Sequence, residues 1–194
     1  MGSSAPELST RGRQLVAEAR ALLEEGGPDG LTMRTLAGRV GIRAPSIYKH
    51  VAGREALEAA VVADGLREFA QAGEEAVRDA ADPLSALARA YRGFARAHPH
   101  LYRLMNDRPL PRDRLPEGLE ARAGAPLLAA VGGDPDRARA AWAFAHGMVM
   151  LELTDRFPEG ADLDAAWRAG LTALHAAAAP RCLRTGGPRR RARG

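Results

Sequence analysis

Ser46, Tyr48, Lys49 and His50 gather four polar side chains into residues 46–50, and each carries a group able to meet a phosphate oxygen. Lys49 can neutralise a phosphate, while the hydroxyls and the imidazole can donate hydrogen bonds to one. Arg43 stands just ahead of them, where its planar guanidinium can span guanine O6 and N7. Thr32 and Arg34 form a second polar group upstream, at a place where the positive end of a helix would favour a phosphate. A short solvated helix carries the same residue types. Spacing alone leaves both readings open.

The elements that would present these groups are legible. Thr32 is an N-cap by type, and Leu36, Ala37 and Val40 give the helix after it an apolar stripe. Gly41 follows at the point where a helix must end in a residue comfortable at positive φ, and Ile42 turns back into the corner. Ala44 and Pro45 open a second helix, with proline at an early position where its missing N–H costs nothing. Ile47 and Val51, four apart, form its inner face and leave Ser46, Tyr48, Lys49 and His50 outside. Ala37 is small where two helices crossing at about 90–120° come closest. The pattern is a helix-turn-helix.

That stretch resembles the DNA-binding domain of the TetR family of bacterial transcriptional regulators. The matching residues are Thr32, Ala37 and Gly41, then Ser46, Tyr48 and His50, then Arg54, Glu55 and Leu57 at the start of the next helix. Val51 stands where the family carries an aromatic, which weakens one core contact. Arg54 replaces a lysine that grips a phosphate in the family, and it keeps the charge. The resemblance implies a three-helix DNA-binding domain over residues 8–68. It also implies that Thr32, Arg34, Arg43, Ala44, Pro45, Ser46, Tyr48, Lys49, His50 and Arg54 meet a double-stranded DNA operator.

The whole chain sets the bounds. Its 194 residues are 46% hydrophobic and 27% charged, a balance that can bury a core. The expected location is cytoplasmic, because no apolar run approaches the roughly 18 residues of a membrane span and the N-terminus lacks a signal-peptide core. A single cysteine, Cys182, rules out an internal disulfide. Residues 1–55 carry eight basic and six acidic side chains, a net of +2, so the DNA-contacting end must rely on placed contacts more than on bulk charge. Residues 56–180 carry fourteen and eighteen, a net of −4. The tail over 181–194 holds six arginines and no acid, and reads as disordered.

Every segment with a period reads as helix, so the expected fold class is all-α. A first helix should run from Ser9 or Thr10 to about Gly26, followed by a Gly-Pro loop. A long connector begins at Arg54 and runs to about Ala80, before Asp82-Pro83 breaks it. Further helices should run from Asp82 to Ala97, over Leu101 to Met105, and from Leu119 to Val131. Two longer ones follow, from Asp134 to about Phe157 and from Asp162 or Asp164 onward. Residues 106–118, with three prolines and three arginines, read as irregular and therefore as mobile or functional.

The C-terminal region, residues 82–180, resembles the TetR regulatory subclass named for a Trp-His-Gly signature, carried here by Trp142, His146 and Gly147. The implied fold is a helical bundle that binds a ligand and dimerises through the last two helices. Tyr91, Phe94, Tyr102, Met105, Trp142, His146 and Met150 are the candidate lining for a small-molecule effector. Aromatics and methionines at helical spacing are also what a packed core carries, and that alternative stays open. Two-fold symmetry suits the other end of the chain, because two recognition helices about 34–36 Å apart reach successive major grooves.

An enzyme, or a helical ligand-binding protein without an operator, is the rival class. His98 and His100 straddle a proline, which is poor geometry for joint metal binding, and no Cys or Glu cluster completes a site. Asp134 and Asp136 suit a helix cap better than an acid/base pair. No phosphate loop or nucleophile elbow occurs. The expectation is a regulator, most readily a repressor released by its effector, with no catalytic residue, metal or cofactor.

Overall fold

The computed structural model describes residues 8–176. The basic tail over 181–194, Cys182 and the end of the regulatory segment at 177–180 lie outside the described residues. Those described are all-helical, with no strand among them. The contacts divide the chain into a unit ending at Ala161 and a second unit that starts at Asp162.

The first unit opens with α1 (Thr10–Gly30), whose cap Ser9 accepts a hydrogen bond from the Gly12 N–H. The expected loop after Gly26 is instead a kink: Gly27 takes φ +66°, and one further helical turn follows it to Gly30. Leu15, Val16, Ala19 and Leu23 are buried on its inner face. Next come α2 (Met33–Arg39) and α3 (Ala44–Ile47), the helix-turn-helix pair, with Leu36, Ala37 and Ile47 buried between them and α1. Each such aliphatic side chain withdrawn from water contributes roughly 1.5–3 kcal/mol.

The connector α4 (Arg54–Val77) packs on α1, α5 (Pro83–Ala97), α6 (Pro99–Asn106) and α7 (Leu119–Ala130). Its apolar residues change face along its length because its neighbours change. Gly65 sits where α6 comes closest: a Cβ there would lie 2.8 Å from Met105 Sδ and 3.1 Å from Leu101. Asp82 caps α5 by accepting from the Ser85 N–H. The last helix of this unit, α8 (Pro135–Leu153), is capped by Asp134 and ends four residues before the expected Phe157. There Asp155 turns to φ +51° and the Arg156 N–H closes on the Leu151 carbonyl.

Residues 107–118, expected to be irregular and either mobile or functional, are held along a packed path. They include a 3-10 turn at Arg112–Arg114, and Leu115 is buried with Leu119 against Val62, Ala63 and Leu66 of α4. Their arginines pair with glutamates: Arg108 with Glu58, Arg114 with Glu55, and Arg112 with Glu120. Prolines remove the backbone donors a helix needs, but they do not stop buried leucines and ion pairs from fixing the path.

The second unit begins with α9 (Leu163–Ala176), where Asp162 accepts from the Ala165 N–H and so caps the helix as expected.

Candidate nucleic-acid interface and regulatory site

Thr32 and Thr35 open α2 with a reciprocal capping box, the Thr35 N–H donating to Thr32 Oγ1 at 3.0 Å and the Thr32 N–H to Thr35 Oγ1 at 2.9 Å. Thr32 is therefore occupied as a cap, with its hydroxyl within 3.0 Å of that of Thr35. The turn closes when the Ile42 N–H reaches the Ala37 carbonyl at 3.0 Å, with Gly41 at φ +67°. Arg43 holds the N-cap position of α3 but spends no side-chain bond on it. The regular helix is only four residues long, and then tightens as the His50 and Val51 N–H groups share the Ile47 carbonyl. Val51 is buried as the inner face predicts, while Tyr48 is 56% exposed with Lys49 and His50 beside it. Ala44 and Ser46 are half-buried, and Pro45 is exposed.

Among the described residues, the cations of this end fall into two groups. Arg11 donates to Gln14 and the Val40 carbonyl, and Arg13 to the Leu8 carbonyl. Arg20, Arg39 and Arg54 sit in ion pairs with Asp64 and Glu68, with Glu25, and with Glu58 respectively. Arg34, Arg43 and Lys49 have no intramolecular partner and are exposed. Ion pairs thus neutralise Arg20, Arg39 and Arg54, hydrogen bonds to uncharged groups hold Arg11 and Arg13, and three cations beside the turn are left without a partner.

The other candidate set is partly assembled. The Tyr91 and Tyr102 hydroxyls are 2.7 Å apart, and Tyr102 reaches His146 Nδ1 at 2.6 Å. The Trp142 ring packs beside that of His146, with centroids 6.4 Å apart. Burial pushes both phenols above their usual range, so the two tyrosine hydroxyls keep their protons at physiological pH. Tyr91 meets Tyr102 edge-on at 5.7 Å, and Phe69 meets both Tyr91 and Phe94 edge-on. Trp142 is 52% exposed, at the open end of the string. Met105 lies elsewhere, in the apolar cluster of Val62, Leu66 and Leu115. Met150 is half-buried on α8, its carbonyl accepting from Thr154. Phe69 was absent from the sequence-derived set because α4 showed no single apolar face from which to choose it.

Two further contacts tie α1 and α4 to α6. Glu24 of α1 accepts from the His100 and Leu101 N–H groups at 3.3 and 2.8 Å, which satisfies free donors at the start of α6. His98 lies 3.1 Å from Glu68, and Glu68 lies 2.5 Å from Arg20. Burial opposes the Glu68 charge, but the Arg20 hydrogen bond and charge outweigh it and hold the carboxyl below its usual value.

Comparison with known proteins matches both halves. Residues 15–61 fit the family described as bacterial regulatory proteins, tetR family, and residues 84–174 fit the tetracyclin repressor-like C-terminal domain. The HTH-type transcriptional regulator Rv0681 of Mycobacterium tuberculosis is 34% identical over 153 residues, covering 72% of this chain and 69% of that protein. A solved protein of unknown function from Rhodococcus sp. RHA1 superposes with a TM-score of 0.72 at 27% identity, over 87% of this chain and 95% of the other. A TetR variant from Acinetobacter baumannii AYE, solved in complex with minocycline, gives a TM-score of 0.61 at 27% identity, over 88% and 96%. With a recognition turn whose cations are free, a regulatory half behind it, and relatives across both, the chain belongs to the TetR family of transcriptional regulators.

Proposed function

We propose that this protein is a repressor that leaves its operator when a small molecule binds the regulatory half. The observation that carries the reading is the trio of unpartnered cations, Arg34, Arg43 and Lys49, around the exposed Tyr48 and His50. A polar face kept only for solubility would have no reason to leave its own charges unpaired while neighbouring arginines are satisfied. In this reading Lys49, Arg34 and Arg54 meet phosphates, Arg43 reads base edges, and Ser46, Tyr48 and His50 position the helix. Thr32 acts through its cap, and Ala44 and Pro45 let the turn approach the duplex closely. The DNA-binding region spans 8–68 and the regulatory region 82–180.

The effector site is the Tyr91–Tyr102–His146 string, with Trp142 against His146 and Phe69 and Phe94 beside it. Its hydroxyls and aromatic walls suit a ligand that is largely apolar, with a few polar groups. The ligand acts through its differential affinity for two conformers. Dimerisation uses α8 and α9. In support, Ala140, Ala143, Gly147 and Leu151 recur at helical spacing along an outer side of α8, whereas Ala141 and Ala145 are buried within the subunit.

The test is anisotropy of a labelled duplex from the promoter beside its own gene. Lys49→Ala should weaken binding to every sequence and lower the log–log salt slope by about 0.9, the loss of one phosphate contact. Unchanged affinity and slope would remove this face from the account.

A further inference from the structure

We propose that Glu58 competes with the DNA backbone for Arg54, and that Arg108, just beyond α6, sets how hard it competes. The idea rests on the proposed role of Arg54 as a phosphate contact. Arg54 is the first residue of α4, immediately past Gly53. Its Nε donates to Glu58 Oε1 at 2.8 Å, while Arg108 Nη1 donates to Glu58 Oε2 at 3.3 Å. One carboxylate is therefore shared between a guanidinium at the DNA-binding end and one from the regulatory half. The Glu58 side chain is 16% exposed, and those of Arg54 and Arg108 are 49% and 67% exposed.

Arg54 can satisfy itself with only one strong oxyanion at a time along its Nε edge. When a phosphate takes that place, Glu58 keeps only Arg108 as a partner and stands as a carboxylate one helical turn from a polyanion. Arg108 relieves that repulsion and weakens the hold of Glu58 on Arg54. If residues 107–118 shift away, Glu58 reclaims Arg54 and the protein loses a phosphate contact. Tyr102 and Arg108 flank the end of α6 at Asn106, so the segment that carries the aromatic string also carries the arginine that tunes Arg54.

The contact is with phosphate, so random-sequence duplex DNA is a sufficient probe, with anisotropy measured over a salt series on the full chain. Glu58→Gln should bind about threefold to tenfold tighter, with a log–log salt slope steeper by about 0.9. Arg108→Gln, at an exposed position with little bearing on folding, should bind about threefold weaker. The Glu58→Gln gain should vanish in an Arg54→Ala background, and the Arg108→Gln loss should vanish in a Glu58→Gln background. An undiminished gain without Arg54 would mean simple through-space repulsion, and an undiminished loss without the Glu58 charge would mean that Arg108 meets DNA itself. Either result, or an unchanged affinity of Glu58→Gln, overturns the proposal. Lys49→Ala in the same assay separates the two failures: if it weakens binding while Glu58→Gln is silent, only the competition is wrong, and if it too is silent, the DNA face is wrong.

Discussion

Tyr102 shows how much one side chain can hold in this molecule. Its hydroxyl touches Tyr91 at 2.7 Å and His146 at 2.6 Å, while its ring is buried against the Tyr91 edge. Tyr102→Phe keeps the ring and deletes both hydrogen bonds, leaving the Nδ1 of a half-buried imidazole without its partner. The expected cost is about 1–3 kcal/mol, read as a lower urea midpoint with an unchanged m-value. A full-strength midpoint would show that solvent or a rotamer change replaces the lost bonds. At the turn the residues carry charge rather than packing. Lys49 and Arg43 are the residues whose loss should change DNA affinity and leave folding alone.

At the scale of elements, α6 matters more than its eight residues imply. Pro99 supplies no N–H, so its first free donors are those of His100 and Leu101, and both go to Glu24 of α1. Gly65 lets the same helix lie directly on α4. Glu24→Ala therefore uncaps α6 from a distance, at a cost of roughly 1 kcal/mol. Amide exchange at His100 and Leu101 should quicken while α5 keeps its protection, because the Asp82 cap of α5 is independent. Equal loosening of both helices would mean that Glu24 supports the unit generally. The segment after α6 teaches a related point: three prolines forbid a helix, yet Leu115 and the arginine–glutamate pairs fix it against α4 and α7.

For the whole molecule, two measurements are informative. Ala143 is exposed on α8, so Ala143→Glu should leave the subunit folded and convert a dimer to a monomer in light scattering. A dimer that persists would move the interface off that side of α8. The second concerns acid. Glu68 is held below its ordinary value of 4.5, so the unfolded chain binds a proton there more readily than the folded one. Stability from this group is complete above that value and is lost as pH falls through the lower, folded one. Glu68→Gln should therefore lower stability near neutrality and flatten the acid limb of a Tm–pH profile. A parallel shift of the whole profile would show that Glu68 contributes by packing alone.

The helix-turn-helix was legible because its signals are local. Thr32 must cap, Gly41 must turn, Pro45 must start a helix, and Ile47 and Val51 must face inward, all requirements set within a few residues of each position. The helical class, the Asp82, Asp134 and Asp162 caps and the run of α4 follow from the same short-range rules. Pairings across the chain are different. Nothing in the order of residues says that Glu24 meets Leu101, that Glu58 serves both Arg54 and Arg108, or that Phe69 joins Tyr91 while Met105 does not. Such contacts depend on which faces α4 offers to four neighbours at once. A one-residue change of helical phase turns a side chain by about 100°, and only packing fixes the phase.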